Sequence, residues 1–193
     1  MYIYFSVVTR QSKNIGQTVI SSRHWKNLPE TDQQGSFIQH ERNCLTCARM
    51  TKTERFSSQA TNRSYKINQK YNCNSSWCIY LATCLLCKSD YVGQTWAKKG
   101  MRGRHLGHRS ECKSGSSGLG KHFKEKHGGS TDTLQLIIID SVKPGNHEAL
   151  DKKEAKWIHQ LKTMDDMGFG GMNLREDLLR NSRKLCTCGY YGN

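Results

Sequence analysis

Apolar and polar residues change rhythm several times along the chain, and each change marks an element. Residues 78–95, CIYLATCLLCKSDYVGQT, read as a hairpin: Ile79, Tyr80, Thr83, Tyr91, Val92 and Thr95 favour strands, and Lys88-Ser89-Asp90 supplies the turn. In KKGMRGRHLGHRSEC, residues 98–112, Met101, Arg104, His105 and His108 recur at three- and four-residue steps and so share one helical face. SGSSGLG breaks that helix, and KHFKEKH forms a short second one. LQLIIID, residues 134–140, is an unbroken apolar run of strand length, which predicts a buried central strand. Pro144-Gly145-Asn146 then turns the chain into a long helix over 147–163, whose stripe of Leu150, Trp157, Ile158 and Leu161 has Glu154 set within it. This order predicts an α+β fold, a small mixed or antiparallel sheet flanked by helices.

The flanks are less patterned. Residues 1–37 open on the β-prone YIYFSVVT and drift into polar sequence, as a connecting arm does. Residues 38–77 are polar and poor in aromatics, with too little apolar surface for a core of their own. Something must staple them, and His40, Cys44, Cys47 and Cys73 are the residues for a zinc site, with Cys78 a rival fourth ligand. Residues 78–178 hold the patterned elements, and 179–193 form a charged, then Cys-rich tail.

Charge narrows the partners. Thirty Lys and Arg against 16 Asp and Glu give a formal net charge of +14, which attracts a polyanion, nucleic acid before all, with salt-sensitive affinity. The nine cysteines are an odd number with two C-x-x-C pairs, and they suit metal binding in a reducing compartment better than a secreted disulfide framework. Cys84 and Cys87 with His122 and His127 have the ligand types and short spacings of tetrahedral structural zinc. Cys112, Cys186 and Cys188 find no convincing partners and are expected to be unliganded. No apolar run approaches the roughly 20 residues that cross a bilayer, so no membrane partner is expected.

Glu154 lies where its helix should be apolar, and an unpaired buried carboxylate is costly, so it must meet a cation, a donor or a metal. Tyr80 and Tyr91 occupy the two hairpin strands, and Arg104 and His108 lie one turn apart on the next helix. Together these side chains supply what phosphodiester hydrolysis needs: a carboxylate for a divalent ion, a guanidinium for phosphorane charge, and hydroxyls or an imidazole to orient and deprotonate water.

CIY at 78–80, YVG at 91–93 with Tyr80 and Tyr91 eleven residues apart, Arg104 with His108, Glu154 in KEAKWI and Asn173 in GGMN together resemble the GIY-YIG nuclease family. More narrowly, NCNSSWCIYLATCLLCKSDYVGQT, the Cys84/Cys87 pair and HFKEKH resemble the endonuclease domain of Penelope-like retroelements, which carries a Cys-Cys-His-His insert in a GIY-YIG core. FSVVTRQSKNIGQTVI is similar to the segment that joins reverse transcriptase to nuclease in those polyproteins. The resemblance implies a GIY-YIG nuclease-like fold over 78–178 with a zinc-stapled N-terminal extension. It implies catalytic Tyr80, Tyr91, Arg104, His108, Glu154 and Asn173, magnesium or manganese at Glu154, and one or two structural zinc ions. It further implies DNA, element RNA and the reverse transcriptase domain of the same polyprotein as partners, in the nucleus. The expected reaction is nicking of target DNA to leave a 3′ hydroxyl that primes reverse transcription. Which tyrosine activates water is open, as are the cation beside it (Lys98, Lys99 or His108) and the arginine, because a longer interval after Tyr91 keeps Arg102 beside Arg104. Two rival functions remain: a non-catalytic zinc-stabilised nucleic-acid-binding module and a structure-specific repair nuclease.

Overall fold

The segment expected to need a staple forms short strands, and the end of the expected connecting arm pairs with one of them. Four short strands, β1 (Gly35–Ser36), β2 (Arg55–Ser57), β3 (Ser64–Lys66) and β4 (Lys70–Tyr71), pair as parallel β1–β4 and antiparallel β2–β3. The computed structural model describes residues 34–38 and 43–176, within a unit that begins at Gln34. The arm before Gln34, His40, Cys186 and Cys188 lie outside the described residues.

The hairpin forms as expected, from β5 (Cys78–Cys84) and β6 (Ser89–Thr95), and β7 (Leu134–Ser141) adds antiparallel to β5. The strand order β6-β5-β7 places β5, not the 134–140 run, at the centre. A continuous apolar run reports burial on both faces, which β7 has, and says nothing about pairing on both edges. The outer edge of β7 is instead covered by the front segment, where Thr51 N–H donates to Leu136 C=O at 3.1 Å and Ile138 N–H to Ser36 Oγ at 3.4 Å.

Among the described residues three α-helices complete the α+β architecture: α1 (Gly100–Ser114), α2 (Gly118–His127) and α3 (His147–Leu161). The SGSSGLG break is built from Gly115, which ends α1 in the left-handed region at φ 78°, and Ser117, whose Oγ accepts from Gly120 N–H at 3.0 Å to start α2. Asn146 caps α3 in the same way, its Oδ1 2.9 Å from Ala149 N. As its spacing predicts, α1 buries Met101, His105 and His108, with Cys112 continuing the face.

The expected boundary at 77/78 is not a packing boundary. Met50, Phe56, Ile67 and Tyr71 join Ile79, Leu81, Ile138, Leu150 and Ile158 in one core cluster. Phe56 and Tyr65 stack at 5.4 Å between ring centroids, and both meet Trp157 of α3 edge-on at 5.5 Å. Burying each large apolar side chain contributes roughly 1.5–3 kcal/mol. A segment too poor in such residues for its own core thus gains order by lending them to a neighbour's.

Candidate active site and metal centres

Strand pairing sets the site. Tyr80 stands opposite Gly93 across β5–β6, and its ring fills the space that a side chain at 93 would occupy: a Cβ there would lie 2.6 Å from Tyr80 Cζ and 2.8 Å from Tyr91 Cε1. The glycine of YVG is therefore a steric requirement of the tyrosine on the neighbouring strand. A register irregularity between Ile79 and Tyr80, where β5 meets β7, falls at the same residue.

From α1, Arg104 Nε donates to the Tyr80 hydroxyl oxygen at 2.9 Å, and His108 Nε2 lies 2.6 Å from it. On the far side of the imidazole, His108 Nδ1 lies 3.0 Å from Glu111 Oε2, while Arg104 Nη1 donates to Glu111 Oε1 at 2.6 Å. Ser117 Oγ, the α2 cap, donates to Glu111 Oε2 at 2.9 Å. An ionised Glu111 only accepts, so Nδ1 carries the imidazole proton, Nε2 accepts, and the phenol donates to it. The result is a directed chain: Tyr80 O–H to His108, His108 N–H to Glu111, with Arg104 donating to both ends.

Electrostatics agree with that assignment. Burial holds the His108 pKa down at about 4, and the nearby Arg104 charge works in the same direction against Glu111, so the imidazole is neutral at neutral pH. Burial raises the Glu111 carboxyl, but His108 and Arg104 outweigh it and hold the acid well below the usual carboxylate range. Burial is likewise the main cause that pushes the Tyr80 phenol far up, with Arg104 opposing it and the charges of Glu154 and Glu111 adding to it. Burial works against the Arg104 charge too, yet Tyr80, Tyr91 and Glu111 keep the guanidinium protonated.

Glu154 projects from α3 with 6% of its surface exposed, close enough to Tyr80 for its charge to act on the phenol. Tyr91 sits edge-on to the His108 ring, centroids 6.0 Å apart. The structure thus brings Tyr80, Tyr91, Arg104, His108 and Glu154 together. Arg102 is turned elsewhere: its side chain is exposed, its backbone N–H bonds Cys73 C=O at 2.9 Å, and Arg104 is the arginine on the tyrosine. Arg104 is also the cation acting on Tyr80, where Lys98, Lys99 and His108 had been the candidates.

Asn173, expected in the site from the resemblance, hydrogen-bonds to the strand that carries Tyr91. Its Oδ1 accepts from Val92 N–H at 2.8 Å and Thr163 Oγ at 2.7 Å, and its Nδ2 donates to Val92 C=O at 2.8 Å. Fully buried, it acts as an extra strand partner for β6 at the residue between Tyr91 and Gly93. Glu111 is the site residue that the sequence reading omits, although it lies three residues after His108 and seven after Arg104, on their helical face.

Among the described residues, two clusters can hold a metal ion such as zinc. The ligand atoms of Cys84, Cys87, His122 and His127 all lie within 4.8 Å of one another. His127 Nε2 is 3.2 Å from Cys84 Sγ and 3.3 Å from Cys87 Sγ, near the roughly 3.5 Å that tetrahedral zinc imposes between a thiolate and an imidazole ligand. His122 Nε2 is buried with no hydrogen-bond partner, as a nitrogen reserved for a cation is. Cys44, Cys47 and Cys73 form the second cluster under the same distance limit. In both C-x-x-C turns the second cysteine's N–H points at the first one's sulfur, at 3.5 Å. Cys78 stands outside the second cluster: its thiol donates to Ser75 C=O at 3.5 Å, and burial pushes it up to about 12. Cys112 is buried outside both clusters.

Comparisons with family models, curated proteins and solved structures find no match to this chain.

Proposed function

We propose that the chain is a metal-dependent DNA endonuclease of the GIY-YIG type, belonging to a Penelope-like retroelement and acting in the nucleus to nick target DNA for primed reverse transcription. The observation that supports this most is the hydrogen-bonded chain Arg104–Tyr80–His108–Glu111 with Glu154 beside it, because these are the groups that attack on a phosphodiester calls for.

Tyr80 is the tyrosine that activates water in this reading, since its hydroxyl is hydrogen-bonded to Nε2 of an imidazole that is neutral at neutral pH, with Glu111 on the far side to offset charge that develops there. Water attacks phosphorus as its proton passes to the Tyr80 oxygen and the phenol's own proton passes to His108 Nε2. Glu111 stabilises the imidazolium so formed, as the buried acid of a Ser-His-Asp triad does. The P–O3′ bond breaks, the 3′ oxygen takes a proton from solvent, and a 3′ hydroxyl and a 5′ phosphate result. Arg104 spends two of its five N–H donors on Tyr80 and Glu111 and keeps three for phosphate oxygens, where its charge offsets that of the phosphorane. Tyr80 is 0% exposed and the Arg104 side chain 27%, so an incoming phosphate meets the guanidinium before the phenol. Glu154, a buried carboxylate whose charge reaches the phenol, would hold a hard divalent cation, and magnesium or manganese there would supply further charge neutralisation.

Supercoiled plasmid incubated with the protein and Mg²⁺ or Mn²⁺ is expected to accumulate nicked circles with 3′ hydroxyl ends. Glu154→Gln and Arg104→Ala are expected to remove that activity while binding persists. Salt-sensitive binding without cleavage by any divalent ion would establish the non-catalytic module instead, and preferential cutting of flaps or junctions over plain duplex would establish the repair nuclease.

A further inference from the structure

α3 presents a second face that the cleavage chemistry does not use. Glu154 and Ile158 turn into the core, while Lys153, Lys156, Trp157 and Gln160 line a cleft of about 520 Å³ against Tyr65 and Lys66 of β3, the loop to β4 and the end of β7. That volume is within the range of roughly 300–1,000 Å³ typical of small-ligand sites, and the cleft lies where the front segment packs on the helix.

Its walls are pre-set. Asp140 accepts from the Trp157 indole N–H at 3.0 Å and from Lys153 Nζ at 2.5 Å, which fixes the indole and cancels one lysine charge. Gln69 Oε1 accepts from the hydroxyls of Tyr71, at 3.2 Å, and Ser141, at 2.7 Å, so its acceptor is used and its amide N–H₂ is the group left for a ligand. The exposed Lys66 and Lys156 leave the cleft with a net positive charge. Tyr65, a wall residue, retains a buried hydroxyl without a hydrogen-bond partner, a sign of polar capacity not used by the protein itself. Aromatic walls, amides for a base edge and two lysines for phosphate are the combination that recognises a nucleotide.

We propose that this cleft binds an unpaired nucleotide of a nucleic-acid strand, a contact separate from the scissile phosphate. The inference extends the nucleic-acid reading above but does not depend on cleavage. One helix thereby serves both ends of the task, offering Glu154 to the reaction and Trp157 with Lys156 to a base and its phosphate.

The test is binding measured without divalent ions, so that failure of the nuclease reading leaves it untouched. A fluorescent single-stranded oligonucleotide carrying 5-iodouracil is titrated onto the purified protein, irradiated, and the crosslinked peptides are identified by mass spectrometry. Crosslinks are expected on Tyr65 or Trp157. The double variant Lys66→Glu/Lys156→Glu, which changes only exposed side chains, is expected to keep its circular dichroism spectrum and bind at least tenfold more weakly. The slope of log affinity against log salt should fall by about 1.4, the value for two single-strand phosphates. A charge-matched control, Lys113→Glu/Lys121→Glu on α1 and α2, should lose threefold at most. The proposal is overturned if the control pair loses as much, if no crosslink falls in the cleft, or if a mononucleotide binds there as tightly as the oligonucleotide.

Discussion

Replacing Glu111 by Gln tests the proton chain at the point where its geometry is most demanding. The carboxylate accepts from Arg104 at 2.6 Å and His108 at 3.0 Å, and glutamine keeps the shape while removing the charge. In the resting protein His108 is neutral, so little attraction is lost at that bond. When His108 takes the phenol's proton, a full charge develops next to Glu111. Two unit charges about 4 Å apart at an effective dielectric constant near 20 attract by about 4 kcal/mol. A glutamine carbonyl accepting the same N–H retains about 1 kcal/mol of that. The net loss of about 3 kcal/mol falls on the transition state and corresponds to a factor of about 10² in rate. Single-turnover nicking of a supercoiled plasmid with saturating protein is the assay, alongside DNA affinity and a thermal melt. The expected result is a fall of about a hundredfold in the cleavage rate with affinity changed by less than threefold, and partial recovery in Glu111→Asp. A folded Glu111→Gln protein that cuts within threefold of the parent rate would show that His108 does not receive the proton, and the relay would have to be abandoned.

Acid should destabilise the fold in a defined window. His108 has a folded-state pKa of about 4 against 6.5 when unfolded, so the unfolded chain binds the extra proton, and stability present above pH 6.5 is lost as pH falls towards 4, by about 3 kcal/mol from this residue; His105, also held down at about 4 mainly by burial, adds loss in the same window. Glu111, depressed in the fold, adds loss in the same direction once pH drops below its unfolded value of 4.5. Urea melts between pH 8 and 4 measure this, and His108→Gln should make the curve shallower while the His105 and Glu111 contributions remain; equal stability at pH 7 and 4.5 would contradict it. Gly93→Ala places a methyl against the Tyr80 and Tyr91 rings and should cost about 1–3 kcal/mol of stability, with cleavage lost through displacement of the Tyr80 hydroxyl, as melts and nicking assays on the same sample would show. Elemental analysis should find zinc bound to the protein as purified, and a strong chelator should lower the melting temperature until zinc is restored, whereas an unchanged melt would argue against a structural ion at Cys84, Cys87, His122 and His127.

The parts legible in the sequence are those in which spacing along one element sets direction in space. Arg104 and His108 could be placed on a common face because a helix repeats every 3.6 residues, and the hairpin because its turn and strand residues agree. Glu111 belonged to the same face but reads as one more solvated acid in KKGMRGRHLGHRSEC, since its two partners lend it no distinctive pattern. Asn173 was legible only as a motif. Its bonds to the Val92 backbone join residues far apart in sequence, and no local rule anticipates them. That the front segment lacks a core of its own was legible, but the destination of its apolar residues was not: composition counts them, and only the fold says whose core they enter, as Phe56 and Ile67 illustrate.

The placement of the two cysteine clusters gives that front segment a role in the proposed chemistry. At the start of α1, Met101 N–H donates to Ser75 C=O at 3.0 Å and Arg102 N–H to Cys73 C=O at 2.9 Å, while Thr46 Oγ, between Cys44 and Cys47, meets His105 Nδ1 at 3.0 Å. One cluster thus holds the first turns of the helix. At the other end Glu111 is bonded to Ser117, the cap of α2, and α2 carries His122 and His127 back to the Cys84 and Cys87 turn of the hairpin. Arg104 and His108 lie between these two anchors, and Tyr80 comes from the strand that ends in Cys84. Hydrogen bonds of 2.6–3.0 Å weaken sharply when a helix shifts by an ångström. Met101, His105, His108 and Cys112 already bury one face of α1, and metal ions held by the two clusters would add to that packing in resisting such a shift.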